Sequence, residues 1–429
     1  MFVFFWTIIR VCQQGGRKQK QLIWEEFSMA NEKKVGEVVV STFSCRRDSF
    51  RICGTIYRAD KKTGGLTPVI ICHGFMGNQR EGRAEAIALA RAGYVAFTFD
   101  FVGGTTFGKS DGTPLDMTIF TEKEDLRAVM DYVKTLDYVD YSKLVIGGCS
   151  QGGFVSGLVA ADYPDEVKRL LLFYPAICIP DDARKGKNMM FQFDPDNVPD
   201  VLEAHGKKLN GDYARLVMDL DVIDVISGYP GQVFLACGKK DPVVAYDYME
   251  RLLAAFRQKR NTGKAPDASV QFFPVQAAGH GFSKREHQMV ARRVVAFMKG
   301  YNEVLGIHVD ITNTRLENHG IYNTSYVSFE ADCSNEYFEG KALPGAMDVQ
   351  RRKLSKIVEF KADYVMRGKD FAGEECDIHI VNRDTGDGWI PTVDTNSRAL
   401  GFLNKCRCIT IAESYKGGLV IHILVKPGI

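Results

Sequence analysis

A serine among glycines is the first feature of the sequence that could carry chemistry. Ser150 lies in LVIGGCSQGG, where an apolar run typical of a buried strand ends in Gly-Cys-Ser-Gln-Gly and a helical pattern follows. Such a motif would hold the serine on a sharp turn from strand to helix. Gly148 and Gly152 would leave room for that turn, where any Cβ would clash. The stretch therefore predicts a nucleophile at the carboxyl edge of a sheet.

A serine hydroxyl needs a base to accept its proton, and that base needs an acceptor to orient it. Asp241 follows the apolar run QVFLACG and His280 follows VQFFPVQ, so both would lie where loops leave the same sheet edge. The order serine, acid, histidine is the one expected here. We predict Ser150 as nucleophile, His280 as general base and Asp241 as orienting acid. His287 in REHQMV is the rival base, in surroundings typical of a solvated helix face.

Acyl transfer also needs amide donors for the oxyanion, each worth about 3 kcal/mol. The stretch IICHGFMGN ends another apolar run, so we predict the amides of Phe75 and Gln151 as donors. We expect His73 to shape this loop rather than react, and Cys149 to be a weaker nucleophile than Ser150. The alternative is a glycine-rich turn that only packs a helix on a strand. Three pieces in the right order, each at a strand end, argue against it.

The elements that must position these residues alternate between short β-rich runs and amphipathic helical stretches. This pattern predicts an α/β domain at 29–302, with a mostly parallel sheet and helices on both faces. EVVVSTF and FRICGTIYRA are predicted to be an opening antiparallel pair. A polar, proline-bearing insertion at 179–226 is predicted to be a lid or binding loop. Alternating β segments at 303–429 predict a small all-β domain, a barrel or a sandwich.

Composition restricts the partners of the 429-residue chain. Its hydrophobic fraction of 45% and charged fraction of 25% are ordinary for a globular protein, and a net charge of +2 provides no basic field for nucleic acid. Eleven cysteines without CxxC pairs indicate free thiols in a reducing cytoplasm, and no metal or organic cofactor is implied. The apolar start is too short to span a membrane. Residues 1–28 are predicted to be non-native or disordered, with translation beginning at Met29.

Residues 35 to about 300 resemble the α/β-hydrolase superfamily and, more narrowly, the bacterial cinnamoyl (feruloyl) esterases. The triad and HGF are shared across the superfamily, whereas YPAICIPDDARKGKN, FDPDNVPD and GKKLNGDYARLVMDLDVIDVI resemble the lid of those esterases. That resemblance implies a lid over an acyl pocket, with polar residues that receive a phenolic hydroxyl. Asp182 in PDDARKG and Tyr213 in NGDYAR match these positions. The alternative for Tyr213 is a core residue that anchors the lid helix.

The C-terminal region resembles an uncharacterised family of small bacterial β-barrel domains. The similar stretches are YFEGKALPGAMDVQ, FKADYVMRGKDFAG and IHIVNRD. The resemblance implies a barrel with an accessory role, in ligand or carbohydrate binding or in oligomerisation. Trp389 and Tyr364 are candidates to line a ligand cavity, and the alternative is that they are plain core.

These observations predict a bacterial serine carboxylesterase without a cofactor. It would hydrolyse hydroxycinnamoyl (feruloyl-type) or related aryl or short-acyl esters of small molecules, through an acyl-enzyme at Ser150. A homo-oligomer is left open. One rival is a peptidase or thioesterase on the same triad, because the fold does not determine the acyl partner. The other is a binding protein in which the barrel carries the function.

Overall fold

The computed structural model of the protein describes residues 38–59, 64–105, 107–260, 266, 268–354, 356–384, 389–415 and 418–426. The predicted extension at residues 1–28 lies outside these ranges. The first part of the chain forms β1 (Val38–Arg47), β2 (Phe50–Ala59), β3 (Pro68–Cys72), α1 (Arg83–Arg91), β4 (Val95–Phe99), α2 (Ile119–Lys134), β5 (Val145–Cys149), α3 (Gln151–Asp162) and β6 (Arg169–Phe173). It continues with α4 (Ile179–Arg184), β7 (Lys187–Asn188), β8 (Phe191–Gln192), β9 (Val201–Ala204), β10 (Lys207–Asn210), α5 (Asp212–Arg215), α6 (Val222–Ser227), β11 (Gln232–Gly238), α7 (Tyr246–Arg260), β12 (Val270–Val275) and α8 (Lys284–Met298).

The main sheet of this part has the strand order β1-β2-β4-β3-β5-β6-β11-β12. β1 and β2 pair antiparallel as predicted, and the strands from β4 to β12 run parallel to one another. The central strands are buried along their whole length, which explains why each is a continuous apolar run. The helices pack in two groups, α1 with α8 and α2 with α3, α6 and α7, as expected when both sheet faces are covered.

The insertion predicted at 179–226 joins β6 to β11 and holds two short hairpins, β7 with β8 and β9 with β10, between α4 and α6. It is not a loose loop. Phe191, Leu209 and Tyr213 are buried within the core of the main sheet. The insertion therefore packs as part of the first domain, because its scattered apolar residues have a core to enter.

The second part forms β13 (Asn302–His319), β14 (Tyr322–Ser334), β15 (Phe338–Ala342), β16 (Met347–Lys353), β17 (Lys356–Asp370), β18 (Glu375–Asp384), β19 (Trp389–Thr395), β20 (Arg407–Tyr415) and β21 (Gly418–Lys426). All its strand pairs are antiparallel. β15 and β16 both lie between β14 and β17, so they act as two halves of one interrupted strand. The edge strands β19 and β20 lie next to each other, so the sheet curls around a core of its own. The predicted fold class, a mostly parallel α/β sheet followed by a separate all-β domain, is confirmed.

Polar contacts join the two domains. Arg293 of α8 forms an ion pair with Glu303 of β13, and the Gln276 amide donates to Glu413 of β20 at 3.2 Å. The ring of His422 on β21 meets Phe273 of β12 edge-on. None of the described helices is both long and apolar enough to cross a membrane. The cysteines of the described ranges are free thiols.

Candidate active site

Ser150 occupies the turn between β5 and α3, with φ 50° and ψ −117°. This strained conformation is held by the close packing of glycines on either side. A Cβ on Gly148 would lie 2.4 Å from the carbonyl carbon of Gly152, and a Cβ on Gly152 would lie 2.4 Å from the carbonyl oxygen of His73. Both glycines are therefore required for the turn that presents the serine.

Ser150, His280 and Asp241 form one hydrogen-bonded chain. Ser150 Oγ lies 2.9 Å from His280 Nε2, and His280 Nδ1 lies 2.9 Å from Asp241 Oδ2. Asp241 Oδ1 accepts hydrogen bonds from the amides of Val243 and Val244, at 2.8 and 2.9 Å. With Nδ1–H donated to Asp241, Nε2 is free to accept the serine proton. The three residues reach this point from loops after β5, β11 and β12, which end at one edge of the parallel sheet.

The loop after β3 lies against Ser150. A Cβ on Gly74 would lie 3.0 Å from the Cβ of Ser150. In the described part of the chain, the amides of Phe75 and Gln151 donate to no protein acceptor. Gln151 is the first residue of α3, where an amide has no partner within the helix. Two unused amides therefore flank the serine, as an oxyanion site requires.

Comparison with known proteins identifies the fold that carries these residues. The family described as α/β hydrolase fold matches residues 67–213. The first domain has the α/β-hydrolase fold. Est1E from Butyrivibrio proteoclasticus, solved with ferulic acid bound, is 28% identical with a TM-score of 0.54, over 60% of this chain and 98% of that chain. A second structure of Est1E is 26% identical with a TM-score of 0.51, over 60% and 97% of the two chains.

A curated relative is similar over a shorter stretch. The quorum-quenching protein AidA of Acinetobacter baumannii (strain MDR-ZJ06) is 30% identical over 124 residues, which is 28% of this chain and 40% of that protein. An uncharacterised 31.7 kDa protein of Escherichia coli is 31% identical over 86 residues, 20% of this chain and 29% of that protein. The chain thus spans less than half the length of these relatives.

Glu81 is a residue of the α/β-hydrolase domain that the sequence analysis missed. Its Oε2 accepts the Gly74 amide at 2.8 Å, and its Oε1 accepts the Tyr174 hydroxyl at 3.3 Å. The Tyr174 ring in turn meets the His280 ring edge-on, with centroids 5.2 Å apart. Glu81 therefore links the loop that holds Phe75 to Tyr174, which packs against His280. An acidic residue shortly after HGF was the available signal.

The candidates that we judged weaker have other partners. His73 is buried, its Nδ1 lies 2.8 Å from the Gly74 carbonyl oxygen, and its Nε2 accepts the Phe101 amide at 3.0 Å. Burial lowers the pKa of His73, and its two hydrogen bonds join the loop after β3 to the Phe101 amide. Cys149 is also buried, and burial raises the pKa of its thiol well above the ordinary value. A protonated thiol is a poor nucleophile.

His287 of α8 is not on a solvated helix face, so that interpretation was wrong. Its Nδ1 lies 2.7 Å from Oε1 of Glu85, whose side chain on α1 is buried. Burial alone would lower the pKa of His287, but the hydrogen bond and the charge of Glu85 raise it. The sequence pattern of α8 does not reveal this pairing, because Glu85 lies on α1, 202 residues before His287 in the chain.

Tyr213 lies next to Phe75 and Gln151, the two predicted oxyanion donors. Its hydroxyl donates to Gln151 Oε1, and Gln151 Nε2 donates to Glu122 Oε2 at 2.7 Å. The Tyr213 ring meets the Phe75 ring edge-on at 5.7 Å, and Tyr213 is only 1% exposed. Burial raises the pKa of Glu122 well above its usual range. These contacts suit the anchoring alternative, and a substrate-binding role for Tyr213 stays a prediction.

Asp182 lies on α4 and is partly exposed. It pairs with Lys187 at 3.1 Å and, in the described ranges, makes no hydrogen bond to the triad. Its neighbour Asp181 instead ties the insertion to the domain, because Asp181 Oδ2 accepts the Tyr248 hydroxyl of α7 at 2.6 Å. The role of Asp182 in substrate binding also stays a prediction. No group of three or more His, Cys, Asp or Glu among the described residues could hold a metal ion.

Proposed function

We propose that the protein is a serine carboxylesterase that acts through an acyl-enzyme at Ser150. The observation that carries this proposal is the hydrogen-bonded chain from Ser150 through His280 to Asp241. Two unused amides beside the serine support it, because acyl transfer needs donors where the oxyanion forms. The α/β-hydrolase fold supports it only as a scaffold, since one fold hosts many activities.

In the proposed acylation, Ser150 Oγ attacks the ester carbonyl carbon while its proton passes to His280 Nε2. The carbonyl oxygen becomes an oxyanion and accepts hydrogen bonds from the amides of Phe75 and Gln151. Asp241 stabilises the imidazolium that forms and keeps its ring oriented. The C–O bond to the leaving alcohol then breaks, and His280 gives its proton to that oxygen. Water activated by the same base releases the acid and restores the serine.

Aryl esters, and hydroxycinnamoyl esters in particular, are the substrate class that we propose. Support comes from the similarity to Est1E, which has been solved with ferulic acid bound. Asp182 and Tyr213 are the residues proposed, by resemblance, to receive the ring hydroxyl, and the insertion at 179–226 is the proposed lid. The ligand is a small molecule, and no step requires a cofactor.

Replacement of the nucleophile tests the reaction type. Ser150→Ala should lower kcat for methyl ferulate and p-nitrophenyl acetate by at least about 10⁴-fold, because the triad acts as a unit. Incubation of the wild type with a slow aryl ester should add the acyl mass to the peptide that contains Ser150. Ser41→Ala on exposed β1 is the matched control and should keep full activity.

The substrate class has a separate test. A panel of aryl esters, acyl thioesters and aminoacyl amides should show the highest kcat/KM for the aryl esters. Faster cleavage of the thioesters or amides would overturn the substrate proposal while leaving the nucleophile in place. Persistent activity of Ser150→Ala would overturn the assignment of the nucleophile itself.

A further inference from the structure

The second domain contains a cavity of ≈ 300 Å³ inside its curled sheet. The cavity lies toward one end of this sheet, where residues of several strands line it. All four inward residues of β17 belong to the core of the domain, and Tyr364, Ala362 and Phe360 line the cavity whereas Met366 does not. A sheet with eight strand positions has room for one small ligand when its interior is not filled by side chains. The unfilled end is therefore a candidate binding site.

Most of the cavity wall is apolar and aromatic. The Phe360 and Trp389 rings are stacked, with centroids 4.7 Å apart and planes within 4°. Tyr364 and Phe329 meet edge-on at 5.3 Å on another part of the wall. Trp389 and Tyr364, the two candidates from the sequence, both line the cavity. Such walls favour a flat, apolar ligand group.

Two polar side chains lie in one row across this wall. Asp348 of β16 is the register partner of Ala362 on β17, and Ala362 is the partner of Asn382 on β18. Asp348 and Asn382 are thus two strand spacings apart, about 10 Å, on the same face of the sheet. The small Ala362 between them leaves space for a ligand group. Both polar residues are buried.

Asp348 has an unused acceptor. Its Oδ2 accepts Gln350 Nε2 at 2.9 Å, and Gln350 Oε1 accepts Arg352 Nη2 at 3.3 Å. Asp348 Oδ1 is buried and has no hydrogen-bond partner in the described residues. Burial raises the pKa of Asp348 to about 6, so the carboxylate is mostly charged at neutral pH. A buried charge is stabilised by a donor, and the protein does not supply one for Oδ1.

We propose that this cavity binds a small aromatic amine, with its ring against the Phe360 and Trp389 stack and its ammonium group on Asp348. Asp348 is a buried carboxylate in the cavity wall, and a carboxylate there attracts a cation and repels a ligand carboxylate. The site is independent of the triad. It concerns what the second domain recognises, and it holds whether or not Ser150 carries out hydrolysis.

Three ligands with one ring and different end groups test the proposal. Calorimetric titration of the full chain with phenethylamine, phenethyl alcohol and phenylacetate should give the tightest binding for the amine. We expect phenylacetate to bind at least about tenfold more weakly than the amine. Ser150→Ala should bind the amine as the wild type does, which separates this site from the catalytic proposal.

Variants identify the cavity as the site. Asp348→Asn keeps the shape and should weaken amine binding about tenfold while changing alcohol binding little. Ala362→Leu fills the space between the polar residues and should remove binding of both. Asp394→Asn, an exposed acid of β19, is the matched control and should bind normally. Thermal unfolding checks that each variant is folded. If Ala362→Leu does not fold, amine binding by Asp348→Asn alone tests whether the cavity is the site.

Three outcomes would overturn the proposal. They are absence of amine binding at millimolar concentration, phenylacetate binding as tight as amine binding, and amine binding that Asp348→Asn leaves unchanged.

Discussion

Glu81 holds the loop that carries the proposed oxyanion donor, because its carboxylate accepts both the Gly74 amide and the Tyr174 hydroxyl. We expect Glu81→Ala to lower kcat for p-nitrophenyl acetate by about 10- to 100-fold with little change in KM, since misplaced donors weaken transition-state binding. Glu81→Gln keeps an acceptor and should recover part of the rate. A kcat for Glu81→Ala equal to that of the wild type would contradict this positioning role.

Removal of the Tyr213 hydroxyl tests whether this residue anchors the domain, binds the substrate or does both. Tyr213→Phe leaves Gln151 Oε1 buried without its donor, so the free energy of unfolding should fall by about 1–2 kcal/mol. Urea unfolding followed by fluorescence measures this loss. If Tyr213 also receives the ring hydroxyl of the substrate, KM should rise for methyl ferulate and not for p-nitrophenyl acetate. Unchanged KM values for both esters would leave Tyr213 with the anchoring role alone.

At the scale of elements, the insertion between β6 and β11 is tied to α7 by the bond from Tyr248 to Asp181. Tyr248→Phe should speed hydrogen exchange in α4, because a hydrogen bond to a charged acceptor contributes about 1.5–3 kcal/mol. Exchange measured by mass spectrometry over residues 177–186 is the readout. Tyr246→Phe on the same helix, whose ring packs on Phe272, is the matched control. Equal hydrogen-exchange rates in α4 of both variants would argue against a stabilising role for the hydrogen bond from Tyr248 to Asp181.

The elements themselves were largely predictable. Buried parallel strands are apolar along their whole length, so VIGGC, RLLLF and QVFLACG stand out in the sequence. The detail of the insertion was not predictable, because its short hairpins have little pattern of their own and depend on the core that they join. His287 shows the same limit, since its burial depends on which helix packs beside α8.

At the scale of the whole molecule, a buried charge network joins the domains. Burial alone would raise the pKa of Glu303, but Arg293 and His422 lower it to about 2. Burial alone would lower the pKa of His422, but Glu303 raises it, with Glu413 as a further hydrogen-bond partner. Glu303 therefore stabilises the fold above its ordinary pKa near 4.5, and that stability is lost as the pH falls toward 2. His422 stabilises it below about 6.5, and that stability is lost as the pH rises through the raised pKa.

This network predicts a stability maximum between about pH 4.5 and 6.5. Thermal unfolding of the full chain from pH 4 to 9 should show stability falling above pH 6.5, by about 1.4 kcal/mol for each unit of the rise in the pKa of His422. His422→Gln should remove this part of the pH dependence while unfolding at a lower temperature. A pH profile of His422→Gln parallel to that of the wild type would contradict the assignment. His379→Gln, on the exposed pair with Asp363, is the control.

The sequence by itself determined the class of both domains and predicted the three residues, Ser150, Asp241 and His280, that the structure brings into one hydrogen-bonded chain. It could do so because apolar strands and turn glycines are local patterns, and because the order of serine, acid and histidine can be read along the chain. Only the tertiary structure decided which distant groups meet, such as Ser150 with His280 across 130 residues, or Asp348 with Ala362 and Asn382 across three strands. The physical reason is that a side chain's burial and its hydrogen-bond partners depend on how the elements pack. This holds for Glu81, Glu122 and Asp348, whose surroundings do not follow from the residues next to them in the chain.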